Sequence, residues 1–130
     1  MEKEKKIAVL VELGQAFSAL YNMSRGEEIR QNIKVSETMF QAGLDAMHQA
    51  EIENPWFSKA SIETALYGWS KALSHENVIL WLTSYELEKS TSNSVGVIMA
   101  GNIPLVGLHD AICVLLSEGV LKAKLSSKDR

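Results

Sequence analysis

Cys113 is the one cysteine of this chain and the only candidate nucleophile, and its setting argues against that use. It lies inside Ala111-Ile112-Cys113-Val114-Leu115-Leu116, where apolar surroundings raise a thiol pKa, so the pattern predicts a small core residue. A lone cysteine forms neither an internal disulfide nor a multi-cysteine metal site, which suits a reducing cytoplasm. His109 and Asp110 are adjacent, and helix neighbours point about 100° apart, so they are expected to be buried structural groups that cap or bridge rather than an acid–base pair. His48 and His75 stand on separate helical segments with no second ligand beside them, which predicts surface positions and no metal site. Gly96, Gly101 and Gly107 do not make the G-x-G-x-x-G spacing of a dinucleotide fingerprint.

The bulk properties narrow the classes further. A chain of 130 residues suffices for one modest domain, and 46% hydrophobic with 22% charged residues is a folded rather than a disordered composition. Thirteen basic against 16 acidic residues leave a formal charge of −3, too weak a field to recruit nucleic acid or an anionic membrane. Charges at Glu2–Lys6 precede an apolar run over Ile7–Leu20 in the manner of a signal peptide. Glu12 and Gln15 interrupt that run, however, and no stretch of about 18 apolar residues follows, so the expectation is a cytoplasmic chain without a membrane span.

Helical spacing dominates the first two thirds. Leu10, Leu13, Phe17 and Leu20 fall on one stripe, followed by a turn over Asn22–Gly26. A second stripe of Val35, Met39, Phe40, Leu44 and Met47 ends where Pro55 disfavours helical geometry at Asn54. Ser58 is placed to cap a third helix whose buried side is Ile62, Leu66, Trp69 and Leu73, with Trp56 ahead of it as a staple. Ser74 caps a short fourth through Val78, Trp81 and Leu82, and Glu86–Ser94 reads as a connecting loop.

From Val95 the character changes. Val95–Ala100 is a continuous apolar run, expected of a strand covered on both faces in a parallel sheet. Gly101–Ile103 turn the chain, and Pro104 suits the first turn of a helix running to Ser117, apolar nearly all round. Gly119 ends that helix. In Val120–Ser126, Leu121, Ala123 and Leu125 alternate with Lys122 and Lys124, so the segment predicts a β-α-β unit with a right-handed crossover. Two strands and one apolar helix cannot hide so much surface alone, and both sheet edges lack partners, so the unit reads as incomplete.

Val95–Asp129 resembles the opening of the cofactor domain of bacterial fatty-acyl-CoA reductases of the bioluminescence type, within the aldehyde dehydrogenase superfamily. The specific segments are Gly101-Asn102-Ile103-Pro104-Leu105-Val106-Gly107, then His109-Asp110, and Lys124-Leu125-Ser126-Ser127-Lys128-Asp129. Asn54-Pro55-Trp56-Phe57 and the segments carrying Trp69 and Trp81 are similar to that family's helical lead-in. The likeness covers Asn54–Asp129 well and the first helices only loosely. It implies an α/β fold with a helical lead-in over residues 1–93 and the start of an NAD(P)-binding domain over 94–130, cut off before the family's loop cysteine.

By this resemblance Asn102 is the residue that helps hold the oxyanion of the thiohemiacetal. An amide donor stabilises developing charge without competing as a nucleophile. The competing explanation is that Asn102 caps a helix begun by Pro104. Lys124, Ser126 and Ser127 are similar to the segment that engages the adenosine ribose of the cofactor. Ser127 stands where an acid would favour the unphosphorylated nucleotide, so Lys124 with Lys128 is available to a 2′-phosphate and NADPH is the implied cofactor. The alternative for Lys122, Lys124 and Lys128 is a solvated strand face, and Lys122 and Lys128 fit it better. Asn102 and Lys124 both fall at or beyond the carboxyl ends of strands, where open α/β sheets bind ligands.

The chain departs from the family pattern at Ser117-Glu118-Gly119, where Gly-His-Lys is usual, and at Lys122, where an apolar residue is commoner. Both bear on where the second strand begins. The implied activity is reduction of a long-chain acyl-CoA to the aldehyde, of which this chain would supply no nucleophile and which it would not catalyse alone. A different class also accommodates the sequence: a small helical interaction module that docks onto a partner or self-associates through its exposed apolar helix and strand.

Overall fold

In the computed structural model, which describes residues 2–28, 34–87 and 93–128, three serines set where helices begin. Ser36, Ser58 and Ser74 are extended, and their hydroxyls accept from the backbone N–H groups of Met39, Ser61 and Asn77 at 3.3, 3.1 and 3.3 Å. Each satisfies a donor that the helix cannot pair internally. They open α2 (Glu37–Glu53), α3 (Lys59–Ala72) and α4 (His75–Leu82), behind a longer α1 (Lys3–Ser24). Asn54 ends α2 in extended geometry ahead of Pro55, as the proline demands.

Packing follows the predicted stripes of α3 and α4, with two departures: on α2 only Phe40 of the predicted stripe is buried while Met39, one position away on the helix, is 65% exposed, and the staple residue is exchanged. Leu10, Leu73, Val78 and Leu82 form one buried cluster, and Phe57, Ile62 and Leu66 a second that Phe17 and Leu20 flank. The staple before α3 is Phe57 and not Trp56. Phe57 is buried against Ile62 one turn into the helix, while Trp56, one residue too early to reach it, is exposed.

The last third is β1 (Ser94–Ile98), α5 (Leu108–Leu116) and β2 (Val120–Lys124), with the strands parallel and Ser94 opposite Val120 through Ile98 opposite Lys124. The chain is therefore a mixed α/β structure with a helical first part. Residues 88–92 of the predicted connecting loop, and Asp129 of the last segment, lie outside the described residues.

Cover of the sheet differs from expectation. Along β1 only Val97 is buried, and Ile98 is 84% exposed. Register puts Val95, Val97, Leu121 and Ala123 on one face and Ser94, Gly96, Ile98, Val120, Lys122 and Lys124 on the other. Every residue of the second face is exposed, so β1 is covered on one side only. An unbroken apolar run does not by itself distinguish one covered face from two.

Helix α5 is also shorter than predicted. Residues 104–107 form turns, closed by Val106 N–H to the Ile103 carbonyl and Leu108 N–H to that of Leu105, and Leu105 sits at φ 59°. A left-handed leucine cannot continue a helix, so α5 starts at Leu108 with Gly107 as its N-cap. Its far end closes with Glu118, also at φ 59°, in the conformation glycine usually takes; Glu118 N–H bonds the Leu115 carbonyl and Gly119 N–H that of Val114.

The apolar helix is better covered than two strands allow. Ile112 and Leu116 join Leu10, Leu73, Val78 and Leu82 in one cluster, so the helical part roofs α5 while the strands floor it. Lys6, 3% exposed, crosses this junction from α1: its ammonium donates to the Leu116 carbonyl at 2.8 Å and the Leu87 carbonyl at 3.0 Å and lies 3.2 Å from the Glu118 carboxylate. Among the described residues no helix is long and apolar enough to cross a membrane.

Candidate functional site

The loops that leave the two parallel strands meet at one end of the sheet. Met99 N–H, just past β1, donates to the Lys124 carbonyl at 2.9 Å, which extends the ladder to the end of β2. Beyond it Gly101 packs against Ser126 so closely that a Cβ at position 101 would lie 2.6 Å from the Ser126 hydroxyl oxygen and 2.7 Å from its Cβ. Only a residue without a side chain allows that approach. Ser126 is half-buried, and its hydroxyl accepts from Lys128 N–H at 3.2 Å, shaping the turn that carries Ser127.

Asn102 follows Gly101 and is exposed, as are Lys124 and Ser127. The structure thus brings together the backbone segments that carry Asn102, Lys124, Ser126 and Ser127. The alternative of Asn102 as a helix cap falls away, because the helix it would cap begins six residues later, at Leu108, behind Gly107. Lys122 and Lys124 share the open sheet face with Ile98, as their alternation predicts.

Asn54 is the residue that sequence reading missed. It is 1% exposed, its side-chain N–H donates to the Gly101 carbonyl at 2.9 Å, and its side-chain oxygen accepts from Trp56 N–H at 3.0 Å. The Asn-Pro pair signalled a helix end, but a partner 47 positions away leaves no local trace.

Behind the Asn102 loop an apolar cleft of about 460 Å³ runs between the helices, walled by Phe17, Leu20, Phe57, Leu66, Pro104 and Leu105. Its size falls in the range of small-molecule sites, and its walls are mostly apolar, with Gln49 a polar side chain among them. The left-handed turn at Leu105 is what places that side chain at the cleft instead of on a helix face.

The second group of reactive side chains differs from prediction. Cys113, His109 and Asp110 are all exposed, not buried, because the buried phase of α5 falls on Ala111, Ile112, Val114 and Leu116. His109 stacks near Trp81 with ring centroids 5.5 Å apart, and its Nδ1 lies 3.6 Å from the Asp110 carboxylate, nearer than helix geometry suggested yet too far for a hydrogen bond. Cys113 Sγ is 3.9 Å from both ring nitrogens of His109. A sulfur equidistant from the two lies along neither nitrogen's lone pair, so His109 is not aligned to take its proton.

Desolvation first and the Asp110 charge second push the Cys113 thiol pKa up, as its apolar neighbours predicted. Alkylation by iodoacetamide should therefore reach half its maximal rate at a higher pH than for a solvent-exposed thiol. D110N should bring that midpoint part of the way down, since it removes only the smaller cause. A midpoint unmoved by D110N contradicts the assignment. Among the described residues no three His, Cys, Asp or Glu side chains come together in a way that could hold a metal ion.

Comparison with protein-family models, with curated proteins and with solved structures returns no match for this chain.

Proposed function

We propose that the chain is the N-terminal portion of an NADPH-dependent acyl-CoA reductase that converts a long-chain acyl-thioester to the aldehyde, and that Asn102 and Lys124–Ser127 are its contribution to the reacting site. The observation that carries the reading is the tight seating of Gly101 on Ser126, which sets the Asn102 loop beside the Lys124–Ser127 segment beyond the carboxyl ends of two parallel strands. The donor set agrees with a phosphorylated nucleotide: between residues 124 and 128 there are two lysines and two serines and no carboxylate. The apolar cleft behind Pro104 and Leu105 matches an aliphatic chain in character.

In such a reaction a cysteine would attack the acyl-CoA carbonyl and CoA would leave as the thiol; hydride from bound NADPH would then add to the enzyme thioester, whose collapse would free the aldehyde and the cysteine thiolate. Asn102 would donate to the carbonyl oxygen as it gains charge. Lys124 would pair with the 2′-phosphate, with Ser126 and Ser127 at the ribose side. Cys113 is not the nucleophile: it sits on the outer face of α5 with a raised pKa.

The test is an NMR titration of the 130-residue chain with 2′,5′-ADP and, separately, 5′-AMP. Shift changes should centre on Gly101–Asn102 and Lys124–Ser127, favour 2′,5′-ADP by roughly tenfold, and be lost in K124A. Equal response to both nucleotides, or changes confined elsewhere, sinks the reading. With added NADPH and tetradecanoyl-CoA the chain alone should show no multiple turnovers; steady turnover would overturn the claim that its nucleophile lies outside these residues.

The interaction-module reading rests on the open sheet face, where Ile98 is 84% and Val120 53% exposed. Size-exclusion chromatography distinguishes it: a concentration-dependent shift to dimer that I98K abolishes favours the module.

A further inference from the structure

Asn54 is the only asparagine among the described residues that is fully buried, and its carboxamide is divided between two jobs. The oxygen accepts from Trp56 N–H and closes the turn between α2 and α3; the nitrogen reaches into the other part of the chain, to the Gly101 carbonyl. The backbone of Asn54 is occupied as well, its N–H on the Ala50 carbonyl and its carbonyl accepting from Phe57 N–H at 2.9 Å. The residue is thus held from both ends, and the side chain has little freedom to leave Gly101.

The carbonyl it holds belongs to the peptide joining Gly101 to Asn102. That peptide is planar and trans, so its C=O and its N–H point in opposite directions. Fixing the Gly101 oxygen toward the interior therefore turns the Asn102 N–H away from it and fixes the plane from which the Asn102 side chain departs. Ser126 packs against Gly101 and restrains the same loop. We infer that Asn54 is the positioning residue of the Asn102 loop: by gripping the Gly101 carbonyl it sets the direction in which Asn102 is presented at the end of the sheet. The functional weight of this rests on the proposed role of Asn102, but the geometry it asserts does not.

Two substitutions separate the grip from the turn. N54D keeps an oxygen for Trp56 N–H and replaces the donor facing Gly101 by an acceptor, which repels the carbonyl while ionised. N54S keeps a hydroxyl acceptor for the turn and is too short to reach Gly101. The measurement is ¹⁵N relaxation of Gly101–Ile103 alongside α1 and α3 in the 130-residue chain, across pH. In both variants at neutral pH the order parameters of Gly101–Ile103 should fall from about 0.85 to below about 0.6 while the helices keep theirs.

Acid should rescue N54D alone, because a protonated carboxyl donates to Gly101 again, and its midpoint should lie above the roughly 3.9 of an ordinary aspartate since burial and the facing carbonyl both disfavour the charge. Unchanged Gly101–Ile103 dynamics in both variants overturns the inference. So does loss of order spread evenly over α1, α3 and α5, or failure of both variants to fold, either of which makes Asn54 a support of the whole fold and not of this loop. The nucleotide titration can fail without altering these outcomes, and these can fail with nucleotide binding intact, so the two claims are separable.

Discussion

Replacing Lys6 with methionine is expected to lower the unfolding free energy by about 2–3 kcal/mol, close to the largest loss from any single side chain outside the apolar clusters. The ammonium at Lys6 has three acceptors, the Leu116 and Leu87 carbonyls and the Glu118 carboxylate, and is all but excluded from water. Methionine preserves most of the aliphatic packing, so the variant isolates the charge. In many buried ion pairs an apolar replacement costs little, because both charges can be removed together. Here two of the acceptors are backbone carbonyls, which no substitution deletes, and one closes the negative end of the α5 dipole.

Glu118 is a weaker partner. Its side chain is 32% exposed, and E118Q leaves both carbonyl contacts in place, so that variant should lose under about 1 kcal/mol. Urea unfolding of the three proteins ranks them: K6M well below E118Q, and E118Q near the parent. A K6M protein within about 0.5 kcal/mol of the parent would mean that the carbonyls find water instead, and that Lys6 does not lock α1 onto α5.

Lys6 and Asn54 also mark the boundary of what the sequence made legible. Helix starts at Ser58 and Ser74, the helix end at Asn54-Pro55 and the buried sides of α3 and α4 follow from local chemistry and are found where the spacing puts them. On α1 only Leu10 of the predicted stripe is buried, and Leu13, Phe17 and Leu20 pack at the edges of the two clusters. The parallel pairing of β1 and β2 follows from a short apolar helix between two short strands. Lys6, by contrast, looks like one more charge ahead of an apolar run. Its burial depends on carbonyls 81 and 110 positions away, and backbone acceptors have no signature in a sequence.

The candidate site divides in the same manner. Gly101, Asn102 and the Lys124–Ser127 segment were identifiable as strand-end loops by position, whereas the clamp from Asn54 was not. Pro104 predicts a helix start, but leucine in the left-handed region at position 105 interrupts it and the helix begins at Leu108. Apolar neighbours alone predict a core position for Cys113. A helix of nine residues buries a phase, not a composition, and Cys113 is on the outer phase with His109.

Two glycines in helices should respond to alanine with opposite signs. In solvated helix interiors alanine is favoured over glycine by about 0.8–1.0 kcal/mol, and Gly68, exposed in α3, has nothing within 4 Å of the position its Cβ would take. G68A should therefore stabilise the protein by up to about 1 kcal/mol. Gly14 is buried where α1 crosses the end of α3, and a Cβ there would lie 2.7 Å from the Leu73 Cβ and 2.9 Å from the Leu73 carbonyl oxygen. Neither atom can rotate aside: both are fixed by a backbone whose side chain is 2% exposed in the core that joins α1, α4 and α5. Relief requires the helices to part, at about 1–3 kcal/mol, and the propensity gain offsets about 1 kcal/mol of it, so G14A should be destabilised by up to about 2 kcal/mol. Truncating the neighbour does not help, because L73A retains its Cβ and its carbonyl. The G14A/L73A double variant should therefore show no recovery relative to the sum of the single changes. Equal stabilisation by G14A and G68A would show that α1 and α3 are not packed backbone to backbone at this point.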